Sequence, residues 1–281
     1  MQNKTIIADV HTHSEFSTDS EQSVMLMAKT ALEKGLSVLG ISDHYDYDYI
    51  PGVLSPDNFE CDIEAKEKEI LRVKELYRGR LLILNGIELG LDVPNAVRCK
   101  EIADGYSFDY IIGSQHNIRG ENPYYPEFWE EKNTEDAVAQ YFENILDSVA
   151  LFSDFDIFGH LDYPLRYPPK IKEGLISAED ILESKRVSSL MDETIAFIAR
   201  EQKALEINTG GMRSALSRPN PTVKTLKRFF ELGGRYVTFG SDAHESGHIG
   251  YGFDEFKKML SSLGRESYTV FENRTPKEIK L

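Results

Sequence analysis

Cysteine is scarce in this chain. Cys61 and Cys99 are the two cysteines among 281 residues, and they do not form a C-x-x-C motif. So few cysteines favour a reducing compartment. The chain also lacks any apolar run that approaches the length of a membrane helix, and its first residues lead into a strand-like segment without a recognisable signal peptide. We therefore expect a cytoplasmic protein that does not associate with membranes.

Positive charge is in short supply as well. The chain has 32 Lys and Arg against 47 Asp and Glu, which gives a formal net charge of −15. A surface this acidic repels nucleic acids and anionic membranes, so neither is expected as a partner. If the substrate is itself an anion, a local source of positive charge is needed, and bound divalent cations would provide one. The oligomeric state is left open by the composition.

What the sequence does contain is a regular series of short apolar runs. Hydrophobic residues make up 41% of the chain, enough to bury a full core. The predicted strands are 5–10, 36–41, 81–84, 110–112, 155–158, 204–207 and 236–239. The predicted helices are 21–34, 63–77, 96–104, 135–152, 188–201, one that opens at Pro221 and stops at Gly233, and 254–263. A short last strand is predicted at 268–271.

This order of elements favours an α/β barrel. Strands that alternate with helices are parallel, and the carboxyl ends of parallel barrel strands meet on one face, where active sites are built. The chain shows no internal repeat, low-complexity tract or linker. We therefore predict that residues 1–281 form a single domain with its active site at the C-terminal ends of the strands.

Histidine is placed with unusual regularity. Of seven histidines, six directly follow predicted strands, and they are His11, His13, His44, His116, His160 and His244. Side chains two residues apart on a strand point to the same face, so His11 and His13 lie side by side. Glu88 and Asp242 also stand at predicted strand ends. Each residue alone could simply close a strand, but together they predict a metal centre, and the mixed nitrogen and oxygen ligands suit Zn, Mn or Fe.

A glycine precedes several of these candidates. The positions are Gly86, Gly113, Gly159 and Gly240. Glycine at such sites fits a close approach of backbone at a crowded rim, although each one could equally mark the end of a strand.

The ordered set of motifs resembles that of the PHP (polymerase and histidinol phosphatase) family. The motifs are His11-x-His13, Ser42-Asp43-His44, Gly86-Ile87-Glu88, Gln115-His116, Gly159-His160 and Ser241-Asp242-Ala243-His244. They occur in the order found in the family and span most of the chain. The resemblance implies a distorted (β/α)7 TIM-like barrel, in agreement with the seven predicted strands, and a site for two to three divalent metal ions.

The resemblance also implies which residues bind each metal. The ligands are His11, His13, Glu88 and Asp242 for the first ion, His116, His160 and a bridging Glu88 for the second, and His44, His244 and Asp19 for the third. Many relatives have a histidine where this chain has Asp19. Aspartate is a competent ligand, but Asp19 could instead be the N-cap of the following helix.

The activity implied by the resemblance is hydrolysis of a phosphate monoester. Glu88 and Asp242 would be catalytic through the metals, because two ions that share Glu88 would activate a bridging hydroxide for in-line attack on phosphorus. Asp43 could orient a metal ligand, transfer a proton, or be a plain turn residue.

Candidate substrate contacts come from loops beyond the strand ends. Arg166 and Arg213 lie in loops that resemble the phosphate-binding loops of the histidinol-phosphatase branch, but either could be a solvated loop arginine. Asn117 and Ser14 are weaker polar candidates. His248 has no place in the ligand pattern of the family, so it either reaches the substrate from the rim or is an ordinary loop histidine.

The expected substrate is L-histidinol phosphate, a histidine-biosynthesis intermediate, because the motifs are most like those of the histidinol-phosphatase branch. An acidic and aromatic rim would suit its cationic imidazole, although these residues could be an ordinary solvated loop. The rim residues are Tyr45, Asp46, Tyr47, Asp48, Tyr49, Asp162 and Tyr163. The alternatives are a PHP phosphatase or phosphodiesterase for nucleotides or phosphotyrosine, and a non-catalytic metal-binding domain, which nine convergent ligands argue against.

Overall fold

The computed structural model describes residues 7–46 and 59–281. The strands in this part of the chain are β1 (Ala8–Asp9), β2 (Val38–Ile41), β3 (His44–Asp46), β4 (Phe59–Glu60), β5 (Leu82–Gly90), β6 (Tyr110–Ser114), β7 (Ile157–Phe158), β8 (Ala204–Asn208), β9 (Val237–Gly240), β10 (Ser267–Glu272) and β11 (Thr275–Lys280). The α-helices are α1 (Val24–Glu33), α2 (Ile63–Leu76), α3 (Ala96–Gly105), α4 (Thr134–Leu151), α5 (Pro169–Lys172), α6 (Ala178–Glu183), α7 (Lys185–Arg200), α8 (Val223–Glu231) and α9 (Phe253–Ser262). In the same ranges, no helix has both the length and the apolar character required to cross a bilayer.

Seven parallel strands form the central sheet, in the spatial order β1-β2-β5-β6-β7-β8-β9. The two edges of this sheet meet. The amide of Val10 donates to the carbonyl of Phe239 at 3.2 Å, and the amide of Asp242 donates to the carbonyl of His11 at 2.8 Å. The predicted distorted barrel of seven strands is therefore confirmed, whereas the extent of the single domain stays a prediction.

The strand β5 is longer than its apolar pattern predicts. The predicted strand ends at Leu84, but β5 continues to Gly90 because its two halves have different partners. Its first half pairs with β2 through residues 82–85, whereas Glu88 pairs with His44 of β3. Glu88 therefore lies inside a strand rather than after one, and the register fixes it beside a histidine.

Several local predictions need correction. The N-cap of α1 is Ser23, whose side chain accepts from the amide of Leu26, rather than Asp19. The segment before α7, for which no element was predicted, contains the short helices α5 and α6. The last predicted strand, β10, has an unpredicted antiparallel partner in β11.

Neighbouring side chains pack closely against the four glycines that precede the candidate ligands. At each of the four glycines singled out in the sequence, a Cβ atom would come within 2.9 Å or less of a neighbouring side chain. At Gly86 this neighbour is the ring of Tyr110, which is completely buried. The absent side chain therefore makes room for packing, which supports the close-approach interpretation over a simple strand end.

We expect Gly86→Ala to destabilise the protein by about 1–3 kcal/mol, because the added methyl group would overlap the buried Tyr110 ring in a core that cannot expand. Gly105→Ala is the matched control, since no atom lies within 4 Å of a Cβ added there at the end of α3. The control should be neutral or slightly stabilising. Urea unfolding midpoints compare the two variants, and equal midpoints would contradict the packing argument.

Candidate metal centre

Nine side chains converge at the C-terminal face of the barrel. They arrive on separate elements: His11 and His13 after β1, Asp19 before α1, His44 at the start of β3, Glu88 within β5, His116 after β6, His160 after β7, and Asp242 and His244 after β9. All nine belong to the set of ligands that the sequence predicts.

The first group surrounds one oxygen of Glu88. The Nε2 atom of His11 lies 3.1 Å from Oε2 of Glu88, and Nε2 of His13 lies 3.5 Å from the same oxygen. The Oδ1 atom of Asp242 is 3.4 Å from Nε2 of His13 and 3.7 Å from Nε2 of His11. These four side chains have the arrangement expected of ligands to a single ion.

The second group uses the other oxygen of the same carboxylate. Oε1 of Glu88 lies 3.3 Å from Nε2 of His116 and 3.1 Å from Nε2 of His160. The two imidazole nitrogens are 3.4 Å apart. Glu88 therefore presents one oxygen to each group, which is the geometry that a bridging carboxylate requires.

The third group is more exposed than the other two. Oδ2 of Asp19 lies 3.0 Å from Nε2 of His244 and 3.6 Å from Nε2 of His44. The ring of His13 stacks on both of these histidines, with centroid distances of 4.2 Å. Asp19 thus faces the site, and its alternative role as a helix cap is excluded because Ser23 caps α1.

The chemistry of these atoms fits divalent metal ions. Nε2 of His11, Nε2 of His13 and Oε2 of Glu88 are buried and have no hydrogen-bond partner among the residues that the structure describes. Buried polar atoms without partners are costly, and a cation at their point of convergence would satisfy them. Ligand atoms lie within 4.8 Å of one another in three overlapping groups, which are His11, His13 and Glu88; His13, His44 and His244; and His44, Glu88 and His116.

The electrostatic environment keeps two of the ligands, His13 and Glu88, in their metal-binding forms. Burial, together with repulsion from His244 and His44, lowers the pKa of His13 to about 3, so its imidazole is neutral. Burial alone would raise the pKa of Glu88, but His11 and His44 hold it well below its usual value. A neutral imidazole and an ionised carboxylate are the states that bind metal.

Asp46 is a support for two histidines rather than a rim residue. Its Oδ1 lies 2.8 Å from Nδ1 of His116, and its Oδ2 lies 3.2 Å from Nδ1 of His44. A carboxylate on the second ring nitrogen fixes the orientation of a metal-binding histidine. The rim prediction was wrong for Asp46 because the β3 backbone turns its side chain inward.

Glu206 is a functional candidate that the sequence interpretation missed. It is completely buried in β8, and its Oε1 lies 2.6 Å from Nδ1 of His11. The signal was present, since a glutamate interrupts the apolar run of this strand. A charged residue is rarely buried unless it has a specific partner.

Asp43 is tied to the loop that follows β1. It accepts hydrogen bonds from the amide and the hydroxyl of Ser14 and, at 3.0 Å, from the hydroxyl of Ser17. The Ser17 oxygen lies 3.4 Å from Nδ1 of His13 and accepts from the amide of His44. This geometry favours the orienting role for Asp43. Ser14 donates its amide and its hydroxyl to Asp43, and its predicted contact with substrate stays a prediction.

The two candidate arginines differ in their surroundings. Arg166 is buried and donates to Asn220, to Asn208 and, at 2.9 Å, to Oδ2 of Asp242. Burial would lower the pKa of Arg166, but Asp242 holds it above the ordinary value. Arg213 is half-buried and donates to the backbone carbonyls of Ser241 and Asp242.

The remaining predicted contacts lie around this centre. Asn117 is buried, and its backbone carbonyl accepts a hydrogen bond from Nε2 of Gln115 at 2.5 Å. His248 is half-buried, with its ring 6.2 Å from that of Tyr251, and it belongs to none of the ligand groups formed by the described residues. The predicted substrate contacts of Asn117 and His248 therefore stay predictions.

Of the four predicted rim residues that the structure describes, only Tyr163 faces the site. Asp162 is 1% exposed and accepts from Asn220 and Arg218, and Tyr45 is 4% exposed with its hydroxyl against Arg98. Both were wrongly placed at the rim because the sequence does not show which way a side chain beyond a predicted strand end turns. Tyr163 does lie at the site, with its ring centroid 4.8 Å from that of His160. The other three predicted rim positions, Tyr47, Asp48 and Tyr49, lie outside the described residues.

Comparison with known proteins identifies the family. The PHP domain model matches residues 9–210. The chain belongs to the PHP family. It is 29% identical to a histidinol-phosphatase of Lactococcus lactis over 94% of this chain and 93% of that protein. It is 30% identical to a probable histidinol-phosphatase of Clostridium acetobutylicum over 97% of this chain and 99% of that protein.

A solved structure of a PHP relative has the same fold. It is the histidinol phosphate phosphatase of Lactococcus lactis in complex with Zn, L-histidinol and phosphate, at 27% sequence identity. The TM-score is 0.84, and the match covers 98% of this chain and 99% of the relative. The solved relative binds Zn, and in this chain the candidates for metal binding are the first, second and third groups of side chains.

We expect Glu88→Gln to lose most of its bound metal, because one substitution removes the negative charge that both the first and second groups share. His248→Ala is the control and should retain the metal content of the unchanged protein. Elemental analysis of both variants after identical purification gives the comparison, with circular dichroism as a check on folding. Equal metal retention in the two folded variants would show that Glu88 is not a bridging ligand.

Proposed function

We propose that this PHP-family protein is a metal-dependent phosphomonoesterase that hydrolyses L-histidinol phosphate to L-histidinol and phosphate, a step of histidine biosynthesis in the cytoplasm. The observation that carries the proposal is the convergence of nine ligand side chains around the bridging position of Glu88. The names of the relatives support the substrate, since the match extends over nearly the full length of both chains.

The residues of the three groups would hold two to three divalent ions, with Zn, Mn and Fe all compatible with nitrogen and oxygen ligands. Such ions supply Lewis-acid stabilisation of phosphoryl oxygens and lower the pKa of a bound water. The zinc in the Lactococcus relative makes Zn the first ion to test.

The protein itself contributes orientation. Asp242 directs Oδ1 to His11 and His13 while Arg166 binds its Oδ2, so the ligand oxygen cannot rotate away. Asp46 orients His44 and His116 from behind. Groups held in this way need no reorganisation when the substrate arrives, which is the main source of electrostatic catalysis in preorganised sites.

The phosphoryl group would be bound on the side of Arg213 and Arg166. Arg213 is anchored to the carbonyls of Ser241 and Asp242, next to His244, and it remains half-exposed. Three of the five guanidinium N–H groups of Arg166 bind Asn220, Asn208 and Asp242, which leaves two for a phosphoryl oxygen. Their positive charge matters because the whole chain carries a net charge of −15.

Among the described residues, specificity for the alcohol portion would rest mainly on Tyr163. Asp46 is half-buried and paired with His44 and His116, and Asp162 is buried and paired with Arg218 and Asn220, so both carboxylates already have partners within the protein. Tyr163 packs beside His160 and His116, with its centroid 5.3 Å from that of His116, where its half-buried ring can contact a planar group. The excess of negative charge disfavours nucleotides and favours a cationic imidazole alcohol.

The substrate assignment predicts a clear order of rates. The kcat/KM for L-histidinol phosphate should exceed that for a nucleoside monophosphate, phosphotyrosine and a generic aryl phosphate by about a hundredfold, or roughly 2.7 kcal/mol of transition-state discrimination. Phosphate release with zinc or manganese added gives the measurement. If a nucleotide or phosphotyrosine matches histidinol phosphate, the substrate belongs to another branch of the family, although the metal site would still stand.

A further inference from the structure

One carboxylate behind the metal centre contacts two of the groups at once. Glu206 is completely buried in β8, with its Oε1 atom 2.6 Å from Nδ1 of His11. Its Oε2 atom accepts from the backbone amide of His160 at 2.7 Å and from Nδ2 of Asn208 at 3.1 Å. His11 belongs to the first group and His160 to the second, so a single side chain links both.

The contact with His11 constrains the imidazole. A neutral imidazole carries one N–H, and the short contact with a carboxylate places that proton on Nδ1. Nε2 then keeps its lone pair, and it is this nitrogen that lies 3.1 Å from Oε2 of Glu88. Without Glu206, His11 could rotate or adopt the other tautomer, in which Nε2 carries the proton and cannot bind a metal.

We propose that Glu206 is a positioning residue that holds His11 as the Nδ1–H tautomer and fixes the backbone at His160, so that one carboxylate sets the geometry of the first and second metal sites together. This inference rests on the metal-binding part of the proposed function and not on the identity of the substrate. Carboxylates that support a metal-binding histidine typically contribute 10–100-fold to metal affinity.

The barrel makes room for Glu206 in a specific way. A Cβ atom at Gly240 would overlap Oε1 of Glu206, and it would also lie 2.6 Å from Cβ of His11. Glycine at this position in β9 therefore allows the carboxylate to reach the imidazole. Gly240→Ala should displace Glu206 without removing any charge or any ligand.

Glu206→Gln is the most informative variant because it conserves shape. Two donors, the His160 amide and Nδ2 of Asn208, converge on Oε2, whereas one donor faces Oε1. A glutamine would turn its amide oxygen to the two donors and its NH2 group to His11. The NH2 group is a donor, so His11 would have to accept at Nδ1 and carry its proton on Nε2, the form that cannot bind metal.

The matched control is Asp156→Asn. Asp156 also accepts a backbone hydrogen bond, from the amide of Ile111, and it pairs with Arg274, but it precedes β7 at the opposite end of the strand from His160. The substitution likewise converts a carboxylate to an amide, although the carboxylate of Asp156 is only partly buried. It should affect stability without changing the metal centre.

The experiment measures Zn²⁺ and Co²⁺ affinity of the full chain by competition with a chromogenic chelator, together with the visible absorption of the Co²⁺ form. We expect Glu206→Gln to weaken binding of at least one ion by 10–100-fold and to change the Co²⁺ spectrum, while Asp156→Asn changes neither. Gly240→Ala should weaken binding in the same direction. Unchanged affinity and spectrum in Glu206→Gln, or equal losses in Glu206→Gln and Asp156→Asn, would overturn the proposal.

A second measurement uses the unchanged protein, so it does not depend on whether a Glu206 variant folds. Nitrogen-15 NMR of histidine-labelled, zinc-loaded protein reports which ring nitrogen of His11 carries the proton. The proposal requires that Nδ1 of His11 carry the proton. A spectrum in which Nδ1 has no proton would overturn it. Neither readout involves histidinol phosphate. If the kinetic comparison contradicts the substrate assignment, the proposed role of Glu206 can therefore still be tested by metal affinity and by NMR.

Discussion

The carboxylate of Glu88 is completely buried, and the rest of the centre depends on how its charge is balanced. Its two oxygens lie within 3.5 Å of nitrogens from five histidines, which are His11, His13, His44, His116 and His160. A buried charge is tolerated only when it is paired or coordinated. Burial alone would lower the pKa values of His11, His44 and His116, but the nearby carboxylates raise them, so protons on these rings balance the charge of Glu88 and divalent ions between the same atoms would replace those protons.

The barrel creates this arrangement through strand register. The extended β5 pairs with β3 on one side and β6 on the other, which sets Glu88 opposite His44 and in line with Ile112. Closure of the sheet then brings the segment after β9 against the segment after β1, where Asp242 donates its amide to His11. Behind the histidines, Asp46 and Glu206 restrict ring rotation, so the ligands are held by hydrogen bonds that do not depend on substrate.

Much of this was predictable from the sequence, and the failures have a common cause. Apolar runs followed by histidine gave the seven strands and the converging ligands, because strand ends in a barrel must meet. The pattern did not show that β5 passes through Gly86 and Glu88, since a strand with two different partners has no simple apolar period. Nor could it show whether Asp46 points inward, or that Glu206 supports His11, because side-chain direction beyond the predicted strand ends and buried polar pairing are set by tertiary packing.

The most direct test of the account is the metal content of the protein purified without chelator and reconstituted with zinc or manganese. Nine converging ligands, one of which is the buried bridging carboxylate of Glu88, predict two to three divalent ions per chain, measured by elemental analysis against protein concentration. Fewer than one transition-metal ion per chain after reconstitution of folded protein would contradict the central claim.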